Sequence, residues 1–272
     1  GIQLFFNGPE SFTPDNRYLL GEAPEIKQLF VAAGFNSIGS QSSGGAGKGL
    51  ADWIKQGRPP MDLWDVDIRR TFPFQNSDHF LFDRTHESLG LLYDLHWPDR
   101  QFKTARNQRL SPLHSSLIAN GALMGEVAGY ERPLVYQGKD ESFAGIYTYG
   151  RPIWFDACQR ECDAIRGTVA LFDQSSYPIY ALSGASALTC LQWICGRDMD
   201  IEINQVVYTQ LLNDAGGIEA DVTILRSAAN EFLITGGCAT ARRDAYFLKT
   251  HAEAHDCNLL HREELCTLGL MG

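Results

Sequence analysis

The stretch Leu29–Ile54, LFVAAGFNSIGSQSSGGAGKGLADWI, constrains this chain more than any other: an apolar strand enters a Gly/Ser/Asn loop, and the loop opens an amphipathic helix. A turn of that composition at a helix start presents unpaired backbone N–H groups and the positive end of the helix dipole to an electron-rich ligand. Two phosphate motifs do not account for it. A P-loop requires glycine five positions before the Gly-Lys pair and Ser or Thr after it, where Ser42 and Gly49 stand. The dinucleotide fingerprint, counted from Gly45, places Leu50 where its third glycine belongs. What remains is a strand, a loop containing Asn36, Ser37, Gly39 and Ser40, and a helix expected to bury Ala46, Leu50, Trp53 and Ile54 on one face. From the residues alone the loop is either a ligand cradle or a glycine-rich turn chosen for tight packing.

The charge balance narrows the partners. With 33 Asp+Glu against 23 Lys+Arg and no basic stripe, the chain is not expected to bind nucleic acid. It contains no uninterrupted apolar run of about 18 residues, so no membrane span is expected. The seven cysteines include no CxxC pair and no zinc-type His/Cys spacing, and His79, His86 and His96 are likewise unspaced for a metal. Reduced structural thiols and no metal site are the expectation. A length of 272 residues suits one or two domains.

Periodicity and punctuation predict a mixed α+β fold. Strand-like Leu4–Phe6, a turn over Phe12–Asn16 and a strand at Leu29–Ala33 precede the helix, which ends near Gly57 before Pro59-Pro60. A second helix spans Ser77–Leu95, with Ser77 as its cap. Farther on, helices are predicted near Ile153–Gly167 and Ala185–Cys195, and strands near Tyr177–Leu182, Tyr208–Leu212, Asp221–Arg226 and Glu231–Thr235. Trp154, Phe155 and Trp193 read as core anchors. Gly216-Gly217 marks a hairpin-like turn that sends Asp221 into the next strand. An inward carboxylate there would be costly without a partner, which a functional role would offset; on an alternating strand it can equally face water.

Motifs in a fixed order carry a family resemblance. GPESFTPD (Gly8–Asp15), LLGEAP (Leu19–Pro24), GFNSIG (Gly34–Gly39), VDIRR (Val66–Arg70), RTHESLG (Arg84–Gly90) and SPLH (Ser111–His114) resemble an FAD-dependent amine oxidoreductase of the sarcosine and dimethylglycine dehydrogenase family. GYERP (Gly129–Pro133), WFDACQREC (Trp154–Cys162), LFDQSSY (Leu171–Tyr177), VVYTQLLNDAGGIEADVTILR (Val206–Arg226) and FLITGG (Phe232–Gly237) continue into what is similar to a glycine-cleavage-type aminomethyltransferase domain. The resemblance implies three parts: residues 1–62 completing a flavin domain, 63–115 a central linking segment, and 116–272 the first part of a folate-binding domain. It also implies that both ends are cut, with the dinucleotide fingerprint and any flavin-linking histidine upstream of residue 1.

The same resemblance implies the site residues. Gly34, Phe35, Asn36, Ser37, Ile38 and Gly39 would contact FAD, mostly through the backbone, with Ser40 and Gln41 near the flavin or substrate. Asp221 would be the catalytic carboxylate beside tetrahydrofolate, with Tyr208, Val222 and Thr223 lining its pocket. A methylated amine would be the substrate, and an acceptor such as electron-transfer flavoprotein would take the electrons, in the cytoplasm of a bacterium or the mitochondrial matrix of a eukaryote. The regulatory subunit of pyruvate dehydrogenase phosphatase shares this motif order, so a non-catalytic regulator is the alternative reading.

Overall fold

The computed structural model describes all residues, 1–272, and the chain divides into two compact units, Gly1–Arg106 and Asn107–Gly272. The fold class is α+β. In the first unit, strands β1 (Leu19–Glu22) and β2 (Phe30–Ala33) form an antiparallel pair, followed by helices α1 (Gly39–Gln56) and α2 (Asp78–Leu92). Trp53 of α1 is the centre of its core, 2% exposed. Gly21 of β1 makes that possible: its φ is +115°, and an added Cβ would lie 2.6 Å from the Trp53 ring. Asp67 pairs beside Leu20 and holds Arg69, whose guanidinium lies 5.2 Å from the Trp53 ring centre.

The expected cap on α2 is present, with the Ser77 side chain accepting from the Phe80 N–H. Helix α1 also ends as expected, on Gly57 in the left-handed conformation at φ +72°. Two expectations fail here. Leu4–Phe6 is not a strand: no neighbouring strand runs beside it, and its side chains are exposed. Ile54 faces solvent, because α1 starts at Gly39 and turns its buried stripe onto Ala46, Gly49 and Trp53.

The second unit begins with α3 (His114–Ala119), the hairpin β3 (Ala122–Val127) and β4 (Tyr130–Tyr136), and helix α4 (Phe155–Gly167). Then come β5 (Ala170–Asp173), β6 (Ile179–Ser183), α5 (Ala187–Ile194), β7 (Val206–Leu212), β8 (Ile218–Ala228), β9 (Glu231–Thr235), α6 (Ala241–Ala254), β10 (Asn258–His261) and β11 (Leu268–Met271). Five strands make one antiparallel sheet in the order β10-β6-β9-β8-β7, while β11 pairs with β5.

One face of that sheet supplies Leu182, Leu211, Val222, Ile224, Phe232 and Ile234 to a core completed by α5 and α6. The alternation of the strands therefore sends Tyr208, Gln210, Asp221 and Thr223 to the opposite face. Trp193 is not a core anchor: it lies on the outer side of α5, 70% exposed, because Cys190, Leu191 and Ile194 already fill the inner stripe.

Candidate functional site

On the flavin-type side, the loop Gly34–Ile38 is bent by three left-handed positions: φ is +66° at Gly34, +49° at Asn36 and +64° at Ser37. Asn36 explains how a non-glycine pair holds that shape. Its side chain, 1% exposed, accepts from the Thr13 N–H at 2.7 Å and donates to Thr13 Oγ1 at 3.0 Å and the Gly34 carbonyl at 2.8 Å. Gly34 is needed for the same closeness, since a Cβ there would lie 2.6 Å from Thr13 Cγ2. Phe35 stacks on Tyr18 at 4.7 Å between ring centres.

The predicted contact residues thus divide. The Asn36 and Phe35 side chains are spent on the loop itself, whereas Ser37, Ser40 and Gln41 are exposed. Helix α1 begins with no side-chain cap and no acidic residue in its first turn, so its dipole stays unneutralised, although the Gln41 and Ser42 amides already donate to the Ile38 carbonyl. Exposed main-chain donors with a rigid turn behind them fit the electron-rich pyrimidine edge of a flavin.

On the folate-type side, the β7–β8 hairpin closes as expected at Gly216, φ +76°, with Asn213 Oδ1 accepting from the Ala215 and Gly217 amides. Asp221 stands on the open sheet face and is exposed, so the burial cost anticipated for it does not exist. Tyr208 donates its phenolic hydroxyl to Asp221 Oδ2 at 3.2 Å, Gln210 is directly opposite Asp221, and Thr223 is opposite Tyr208. Val222 is brought to the other face, 2% exposed in the core, so only its backbone borders this group. A carboxylate acceptor oriented by a phenol, on a face with amide and hydroxyl neighbours, fits the N–H-rich edge of a pterin.

Sequence reasoning missed Asp244, in the first turn of α6. It is 3% exposed, and burial pushes its carboxyl up to about 6 against the pull of Thr240 and Arg243, with Asp221 adding like-charge repulsion. Thr240 donates to its Oδ2 at 2.8 Å, and Arg243 Nε lies 3.6 Å from its Oδ1. No signal in the linear pattern marked it.

Comparison with known proteins bears on both units. A family model described as "GCVT N-terminal domain" matches residues 113–272, and one described as "FAD dependent oxidoreductase central domain" matches residues 56–111. The chain is 42% identical, over its whole length, to 33% of a 4-methylaminobutanoate oxidase (formaldehyde-forming) of Paenarthrobacter nicotinovorans. It is 37% identical over 84% of its length to 28% of the human mitochondrial sarcosine dehydrogenase. It is 36% identical over 86% of its length to 27% of the mouse mitochondrial pyruvate dehydrogenase phosphatase regulatory subunit. The chain therefore spans about a third of the length of the curated relatives it matches. Among solved structures, the glycine cleavage system aminomethyltransferase T from Bartonella henselae superposes with a TM-score of 0.50 at 25% identity, over 61% of this chain and 41% of that one.

Proposed function

The chain belongs to the GCVT N-terminal domain family, with an FAD-dependent oxidoreductase central domain ahead of it, and on that premise we propose that it is part of a flavin- and folate-dependent N-methyl-amine dehydrogenase. The observation that carries this reading is the Tyr208–Asp221 pair at 3.2 Å on the open face of the GCVT-type sheet. When bound, FAD would take a hydride from the N-methyl group of a small amine, and tetrahydrofolate would accept the one-carbon unit.

Within that scheme the Gly34–Gly39 segment would hold the flavin and the positive end of α1 would offset negative charge on it, with Ser40 and Gln41 towards flavin or substrate. The Asp221 carboxylate, held by Tyr208, accepts a hydrogen bond from the pterin and carries a proton during capture of the carbon. Thr223 and the Val222 backbone border the same position. Electrons leave to an acceptor such as electron-transfer flavoprotein. A sarcosine- or dimethylglycine-type amine is the proposed substrate class; the formaldehyde-forming relative makes 4-methylaminobutanoate the competing one to assay.

The test uses the full-length protein with its flavin. Asp221→Ala is expected to leave amine oxidation in place and to lower transfer to tetrahydrofolate about 100-fold, the released carbon appearing as formaldehyde. Equal loss of both activities would make the carboxylate structural. The similarity to the phosphatase regulatory subunit favours a second reading as a non-catalytic regulator. A colourless full-length protein that oxidises none of these amines but alters phosphatase activity would decide for it.

A further inference from the structure

We propose that Asp244 is a positioning residue for Asp221: from the opposite side of the sheet it fixes the β8 backbone that presents the folate-facing carboxylate. This rests on the proposed role of Asp221.

Three elements meet at Gly236, just past the end of β9. A Cβ built on it would lie 3.4 Å from Asp244 Oδ2, 3.4 Å from Val222 Cγ1 and 3.8 Å from the Asp221 carbonyl oxygen. Asp244 and residues Asp221 and Val222 of β8 thus border the same glycine, where Asp221 leaves for the open face and Val222 for the core. The neighbouring arginine completes the hold. Arg243 pairs with Asp244 and also donates to the Glu219 carbonyl, two residues before Asp221. Thr240, donating to Oδ2, ties the carboxylate to the Gly237–Thr240 turn.

The groups facing Asp244 are Arg243 and Thr240 on or beside α6, Asp221 on β8, and Tyr180 on β6, whose hydroxyl donates to the Ala241 carbonyl. One of them is a second carboxylate. An asparagine would fill the same volume without a charge to desolvate, and it would lose the charge that Arg243 Nε meets at 3.6 Å from Oδ1. Packing alone therefore does not explain a carboxylate at this place, whereas pairing with Arg243, which also holds the Glu219 carbonyl two residues before Asp221, does.

The experiment is a double-mutant cycle in the full-length flavoprotein, reading methylene transfer to tetrahydrofolate and amine oxidation separately. Asp244→Asn is expected to lower kcat for transfer about tenfold while KM for tetrahydrofolate and the oxidation rate stay within about twofold. In an Asp221→Asn background the same change should cost nothing further, because the residue acts only through Asp221. Thr240→Val should lower transfer in the same pattern, and Thr240→Ser should restore it. A wild-type transfer rate in Asp244→Asn, or an equal loss in both backgrounds, overturns the positioning role alone. An undiminished rate in Asp221→Asn by itself overturns the folate-site reading and this inference together.

Discussion

At the scale of single residues, Asp244 sets stability and function against each other. Its carboxyl is raised from an ordinary 3.8 to about 6, chiefly by burial. Between those values the folded chain binds more protons than the unfolded one, so stability falls as pH rises through the window, and above it the burial cost is fully present. Asp244→Asn removes that cost. The variant should be more stable than the parent at pH 8 by up to about 3 kcal/mol, with the gap closing towards pH 4. Urea unfolding at the two pH values measures it, and a less stable variant at pH 8 would mean that pairing with Arg243 outweighs desolvation. The strand place of Asp221 was legible from the Gly216-Gly217 turn, though its role was only implied by resemblance, and strand alternation then fixes Tyr208 and Thr223 on its face and Val222 on the other. Asp244 was not, because nothing in a linear pattern says that an acid in a helix's first turn will be covered by a strand two elements earlier.

Among the elements, α1 matters most, because its start is where main-chain donors are offered. The sequence announced a loop-to-helix transition, its Gly57 stop and the burial of Ala46 and Trp53, but added Ile54, which is exposed. The Ser/Gly run that reads as loop is taken up into the first turns of the helix, since Asn36 has already absorbed the chain reversal in three hydrogen bonds to Thr13 and Gly34. The bonds to Thr13 cross 23 positions of sequence and leave no local signature. Asn36→Ala should therefore loosen the turn rather than the helix. Leaving the Thr13 amide buried without its acceptor costs about 2 kcal/mol, and flavin retention by the full-length protein should fall with it. Absorbance of the bound flavin after gel filtration, set beside the melting temperature, reports both; loss of stability with full flavin occupancy would detach the turn from the cofactor.

For the whole molecule the question is what folds with what. The family resemblance makes residues 63–115 a central linking segment, and residues up to 106 belong to the first compact unit. Asp67 bridges to Leu20, and Asn16 donates to the Ser88 carbonyl at 2.6 Å while Ser88 Oγ donates to the Thr13 carbonyl at 3.0 Å. Such ties are set by the tertiary structure and are silent in composition. The second unit has a core of its own: sixteen buried residues from Tyr180 to Ala252 join four strands to α5 and α6. A core that closes within one stretch of chain should not need the other stretch to form. Residues 107–272 expressed alone are therefore expected to unfold in one cooperative transition, with Trp193 open to iodide quenching in the native state, as its 70% exposure requires. A non-cooperative melt would mean that this core depends on residues before Asn107.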